Sequence, residues 1–116
     1  MVDPLKPSLR WSTTDPTPLD LVGEVTAVLY SGTVAHLDSE WVQQDDHKRV
    51  ADVVARTYEA CRRGGRDDMI DIAVYMGSAL ERMDMGECFA GPWDVANIAV
   101  GLLLERASIG CSAPED

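Results

Sequence analysis

Val95 to Leu104 runs ten residues without a charged side chain: Val-Ala-Asn-Ile-Ala-Val-Gly-Leu-Leu-Leu. In water such a segment has to be covered. It falls far short of the roughly 20 residues needed to cross a bilayer, so it is not a membrane span. Read as a helix it is apolar nearly all round, which places it at the centre of a bundle or between two subunits.

The rest of the chain supplies helices for it to pack against. Thr17 is a candidate cap, Pro18 suits a first helical position, and Asp20 stands where a capping box has its acid. Leu21, Val22, Val25, Val28, Leu29 and Gly32 then recur at three- and four-residue intervals, with Val34 and Leu37 extending the pattern. Ser31-Gly32 is a candidate bend or stop, since glycine is costly inside a helix. The β-branched content of this segment keeps a strand over 19–37 as the alternative. Asp38 or Ser39 offers a second cap for a helix over 40–63, with acids Asp45 and Asp46 early and Arg62 and Arg63 late, as the helix dipole favours. Gly64-Gly65 stops it. A third helix opens at Asp67, with an apolar stripe of Met69, Ile70, Ala73, Met76, Gly77, Leu80 and Met83. Gly86 is its expected stop. The last helix opens at Gly91-Pro92 or Asp94 and ends near Gly110.

The expected fold is therefore all-α: a compact bundle of about four helices over 19–110. Residues 1–18 form an extended Pro-containing N-terminal arm, since Pro4, Pro7, Pro16 and Pro18 exclude a continuous helix. The arm is expected to strap over its own domain, with Trp11 as an anchor. Residues 111–116 form a short acidic tail. At 116 residues and 46% hydrophobic, the chain supports one domain with a real core. With one Phe and three Tyr, Ala, Val, Leu and Ile must fill most of it.

Twenty acids against ten basic residues give a formal charge of -10, and only Lys6 and Lys48 are lysines. Such a field keeps a small protein soluble, and it also fits salt adaptation or a GC-rich genome. Functionally, it suits a protein partner with a basic surface. It disfavours direct nucleic-acid binding, whose affinity comes from neutralising phosphates. Several acids sit near predicted helix starts: Asp20, Asp45, Asp46, Asp67, Asp68 and Asp71. Those left over for a binding face are Asp52, Glu59, Glu81, Asp84, Glu87 and Glu105. Cys61, Cys88 and Cys111 are odd in number and form no CxxC, so a reducing cytoplasm is expected rather than a disulfide framework. Met1 to Thr17 lacks the apolar run of a signal peptide.

No catalytic signature emerges. His36 and Glu40 lie four apart and His47 stands beside Asp45 and Asp46, but no metal-site spacing is present. Cys88 follows an acid, which raises a thiol pKa and argues against a nucleophile. Cys61 falls on a core stripe. Arg62, Arg63 and Arg66 around Gly64-Gly65 are the one local reversal of the field; ion pairs with Asp67, Asp68 and Asp71 account for them better than an anion site. Met69, Met76 and Met83 read as core rather than as an adaptable surface. Gly64-Gly65 lacks the pattern of a phosphate loop.

In size and charge the chain resembles small acidic phage-encoded inhibitors, including anti-CRISPR proteins, although it shares no motif with them. That resemblance implies an inhibitor that occupies a basic, nucleic-acid-binding surface. The expectation is a non-enzymatic protein that binds another protein through an acidic face. It needs no metal or other cofactor, and Trp11, Trp41 and Trp93 are its apolar anchors. The alternative is a homodimeric regulatory or small-molecule-binding module built through the last helix, whose acidity reflects salt adaptation or solubility.

Overall fold

A computed structural model describes residues 14–41, 45–86, 88 and 90–112. Four α-helices follow one another: α1 (Val22–Glu40), α2 (Asp45–Arg63), α3 (Met69–Arg82) and α4 (Pro92–Ser112), with a 3-10 turn at Leu19–Leu21 leading into α1. Among the described residues there is no strand, so the β-branched run of 19–37 is helical. Tertiary packing of an apolar stripe outweighs the modest helix cost of Val and Thr.

Each helix packs on the next, and α4 returns to α1 to close the bundle. The short connections reverse the chain between neighbours. Buried on the inner faces are Val22, Val25, Leu29 and Leu37 of α1, and Val50, Val54, Tyr58 and Cys61 of α2. Met69, Ile72, Met76 and Leu80 of α3 meet Val95, Ala96, Ala99 and Leu103 of α4. Each fully buried Leu or Ile contributes about 1.5–3 kcal/mol. Where α1 crosses α4, a Cβ at Gly32 would lie 3.0 Å from Leu102 Cδ1. Gly32 therefore does not bend or end α1; it lets α4 approach, and the helix runs on to Glu40.

Several expected boundaries move. Thr17 is not a helix cap: its hydroxyl donates to Asp15 Oδ1 at 3.0 Å, and neither the 3-10 turn nor α1 has a side-chain cap. Asp38 does not stand at the start of a new helix either. It lies within α1, and its Oδ1 is 2.7 Å from Nδ1 of buried His47, joining the end of α1 to the start of α2. α2 begins at Asp45 rather than at residue 40. It ends at Gly64-Gly65 as expected, where Gly65 has φ +91. Asp68 rather than Asp67 caps α3, accepting from the Ile70 N–H at 3.3 Å. α3 stops at Arg82, ahead of Gly86, whose φ of +63 shapes the following turn. α4 continues through Gly110 to Ser112, two residues into the expected tail. No described helix is long and apolar enough to cross a membrane.

Of the expected arm, residues 1–13 lie outside the described set, as do 113–116 of the tail. The end of the arm is held. The Asp15 N–H donates to the Asp67 carbonyl at 2.7 Å, and Thr14 bridges Asp68. Asp15 itself is buried. Its Oδ2 accepts from the Tyr58 hydroxyl and from Arg62 Nη1, each at 2.5 Å, while Arg62 Nη2 donates to the Thr17 carbonyl at 2.7 Å. A buried charge needs such a partner set.

Candidate functional site

Helical spacing gives α3 two stripes. Met69, Ile72, Met76 and Leu80 face the core, while Ile70, Val74, Gly77 and Glu81 fall on another face. Ile70 is 60% exposed and Val74 50%. Ile70 is therefore not the core residue the apolar stripe predicted; Ile72, two residues on, is.

Trp93 lies on that outer face. A Cβ at Gly77 would overlap its ring, so the indole rests directly on the α3 backbone. Its Nε1–H donates to Glu81 Oε2 at 2.6 Å. One face of the indole is covered by α3, yet the residue remains 43% exposed. Flat packing and a charge-assisted hydrogen bond hold the ring in one orientation. Ile70, Val74 and Trp93 thus make an apolar strip one helix long, with Asp67, Asp71 and Glu81 along it and Asp94 beside Trp93 in the sequence. An aromatic anchor within a charged rim is the anatomy of a protein-binding patch.

The structure brings Trp93 and Glu81 together from the expected binding residues. The others stand elsewhere. Trp41 is half-buried against the core. Asp52 pairs with Arg56 at 2.8 Å and Glu59 with Arg63 at 3.0 Å, both along the surface of α2. The Asp84 carboxylate accepts from the Gly86 N–H at 2.9 Å, and its carbonyl accepts from Arg49 at 3.0 Å. Glu105 is exposed on α4. Trp11 and Glu87 lie outside the described residues.

The model of the family described as a domain of unknown function, DUF8822, matches residues 22–107. The chain belongs to this family. No curated protein and no solved structure matches it. The DUF8822 match takes in Ile70, Val74, Gly77, Glu81 and Trp93, and begins after the Asp15 clamp.

The arginines expected to gather at Gly64-Gly65 separate. Arg62 turns inward to Asp15, Arg63 pairs with Glu59, and Arg66 stacks over Tyr75 with its Cζ 4.7 Å from the ring centroid. Their partners are thus not the acids that follow. Arg66 instead lines a shallow groove between α2 and α3 with Arg56 and Arg82. His36 and Glu40 are exposed on α1, and His47 faces Asp38 rather than Asp45 or Asp46. Among the described residues no group of three or more His, Cys, Asp or Glu could hold a metal. Burial pushes the Cys61 and Cys88 thiols up. For Cys88 the acid that adds to this is Asp46, at the start of α2, while a backbone hydrogen bond at Ala90 opposes it. Burial and then Asp15 push the Tyr58 phenol up to about 12, against Thr17 and Arg62.

Proposed function

We propose that this chain is a non-enzymatic cytoplasmic binding protein that docks on a basic surface of another protein through the α3–Trp93 face. The observation that supports this reading is the Trp93 indole, laid on Gly77 and tethered to Glu81 beside exposed Ile70 and Val74. Its own fold does not require Ile70 or Val74 at the surface, and such apolar exposure next to fixed aromatic area suits a hot spot. The acids along the strip attract a basic partner and speed the encounter. In its narrower form the partner's basic surface is one that binds nucleic acid, and the chain acts as an inhibitor of the kind that phage-encoded anti-defence proteins such as anti-CRISPRs represent.

The test is affinity capture with the wild-type chain, with Trp93→Ala and Ile70→Glu run in parallel. A true partner binds the wild type, loses at least about tenfold in affinity to either variant, and weakens steeply as salt rises from about 0.05 to 0.5 M. Partners that bind all three chains equally, or regardless of salt, would refute the reading. Displacement of a DNA or RNA oligonucleotide from the captured partner tests the inhibitor form.

A further inference from the structure

The charge that dominates this chain is distributed unequally. α2 alone carries nine charged side chains in nineteen residues. By contrast, the thirteen residues Val25–Leu37 of α1 and the ten residues Val95–Leu104 of α4 carry no Asp, Glu, Lys or Arg. These two segments are packed together at Gly32 and Leu102. Their outward faces therefore adjoin and form one charge-poor side of the bundle. Val28 is 41% exposed there and Leu104 47%. A groove runs along it past His36, Asn97, Ile98, Gly101, Leu102 and Leu104, and Glu105 is the one charged residue in its lining.

Gly101 is a separate observation. It sits mid-helix and exposed, where glycine is among the poorest choices. Gly32 and Gly77 are each explained by a side chain pressed against them. A Cβ at Gly101 would meet nothing within 4 Å in its own chain. No intramolecular packing accounts for it, whereas close approach of a helix from another molecule would.

We propose that the α1–α4 face is the interface of a homodimer, with α4 crossing α4 of a second copy at Gly101. The charge distribution selects this occupant. A basic partner finds a single acid, Glu105, along this groove and gains more from the acids beside α3. A second copy brings the same charge-poor side, and a two-fold axis turns the charged sides of α2 and α3 away from each other. Depletion of charge at the centre is the compositional mark of an interface. The face spans about 20 Å along two helices and about 20 Å across them. That is roughly 400 Å² as a flat patch, small beside the ~800 Å² per partner of an ordinary stable interface. The dimer is therefore weak, with a dissociation constant in the micromolar range.

Sedimentation velocity on the full chain from about 1 μM to 1 mM tests this. The wild type is expected to pass from monomer to dimer within that range. Because screening relieves repulsion between two acidic copies, the dimer should tighten as salt rises. That is the opposite of the trend expected for a basic partner, so the two readings fail separately. Gly101→Leu places its side chain in open space in the lone chain. It should keep the wild-type helical content and melt at low concentration, yet weaken dimerisation at least about tenfold. Leu104→Glu should do the same, and Ile70→Glu on the opposite side should leave the dimer intact. A wild type that stays monomeric to the highest concentration, an assembly larger than two, or a Gly101→Leu chain that dimerises as well as the wild type would each overturn the proposal.

Discussion

Replacing Gly77 by Ala sets two effects of opposite sign against each other. In an exposed helix, Gly to Ala is worth about 1 kcal/mol of stabilisation, from backbone entropy and propensity. Here the added methyl would overlap the Trp93 ring. The ring has to leave the α3 backbone, which strips its covered face and breaks the 2.6 Å hydrogen bond to Glu81. Overpacking of this kind costs about 1–3 kcal/mol. A half-exposed hydrogen bond to a carboxylate adds about 1 kcal/mol or less once solvent screening is allowed for. The net expectation is a destabilisation of about 1–2 kcal/mol, or roughly 4–8 °C in melting temperature for a chain of this size. Circular dichroism melts give the stability, and near-ultraviolet circular dichroism reports whether the indole has lost its fixed environment. The decisive comparison is in a Trp93→Ala background. There the obstacle is gone, and Gly77→Ala should stabilise by about 1 kcal/mol. If Gly77→Ala stabilises the wild type as well, the indole does not rest on α3 and the candidate site loses its anchor.

Other consequences can be checked on the same material. Tyr58 is raised to about 12 in the folded chain against 10.0 for a free phenol, so its stabilisation is intact below pH 10 and is lost as pH climbs through 12. Urea titrations should show up to about 2–3 kcal/mol disappearing across that window, and Tyr58→Phe should flatten the drop; an equal drop in both chains would contradict the Asp15–Tyr58 contact. Asp15→Ala leaves Arg62 buried without its carboxylate and should cost about 3–5 kcal/mol, whereas the Asp15→Asn/Arg62→Met pair should cost markedly less than the sum of its parts; additive losses in urea denaturation would count against the clamp. In a Cys111→Ser background, Cys61 and Cys88 should react with an aromatic disulfide at neutral pH at least about tenfold more slowly in the folded chain than in urea, because burial disfavours both thiolates. Fast reaction of both thiols in the folded chain would show that they are open to solvent.

The helical bundle is legible in the sequence because periodicity is a local property. Apolar residues three and four apart leave a helix little choice of face, and Gly64-Gly65 ends α2 through backbone chemistry that the neighbours do not alter. Caps were less legible. Asp15, Asp38 and Thr17 all carry side chains suited to capping, and each was taken by a partner from the tertiary fold or by its own turn. Arg62 read as part of an exposed cluster, and it is buried because Asp15 reaches it from 47 positions away in the chain. On α3 the phase of the stripe decides which isoleucine is core. Ile70 and Ile72 are two residues apart, and a broad apolar stripe does not separate them.

What the sequence determines by itself is the class of the fold, the number of helices, the acid excess and the two charge-free segments at Val25–Leu37 and Val95–Leu104. Tertiary structure alone decides that those segments adjoin, that Trp93 lies on Gly77 within reach of Glu81, and that Asp15 anchors the N-terminal approach to Arg62. The physical reason is range. Helix propensity and apolar spacing act over a few residues, whereas a face, a clamp or an anchored indole exists only when separate helices have been packed at fixed rotation and depth.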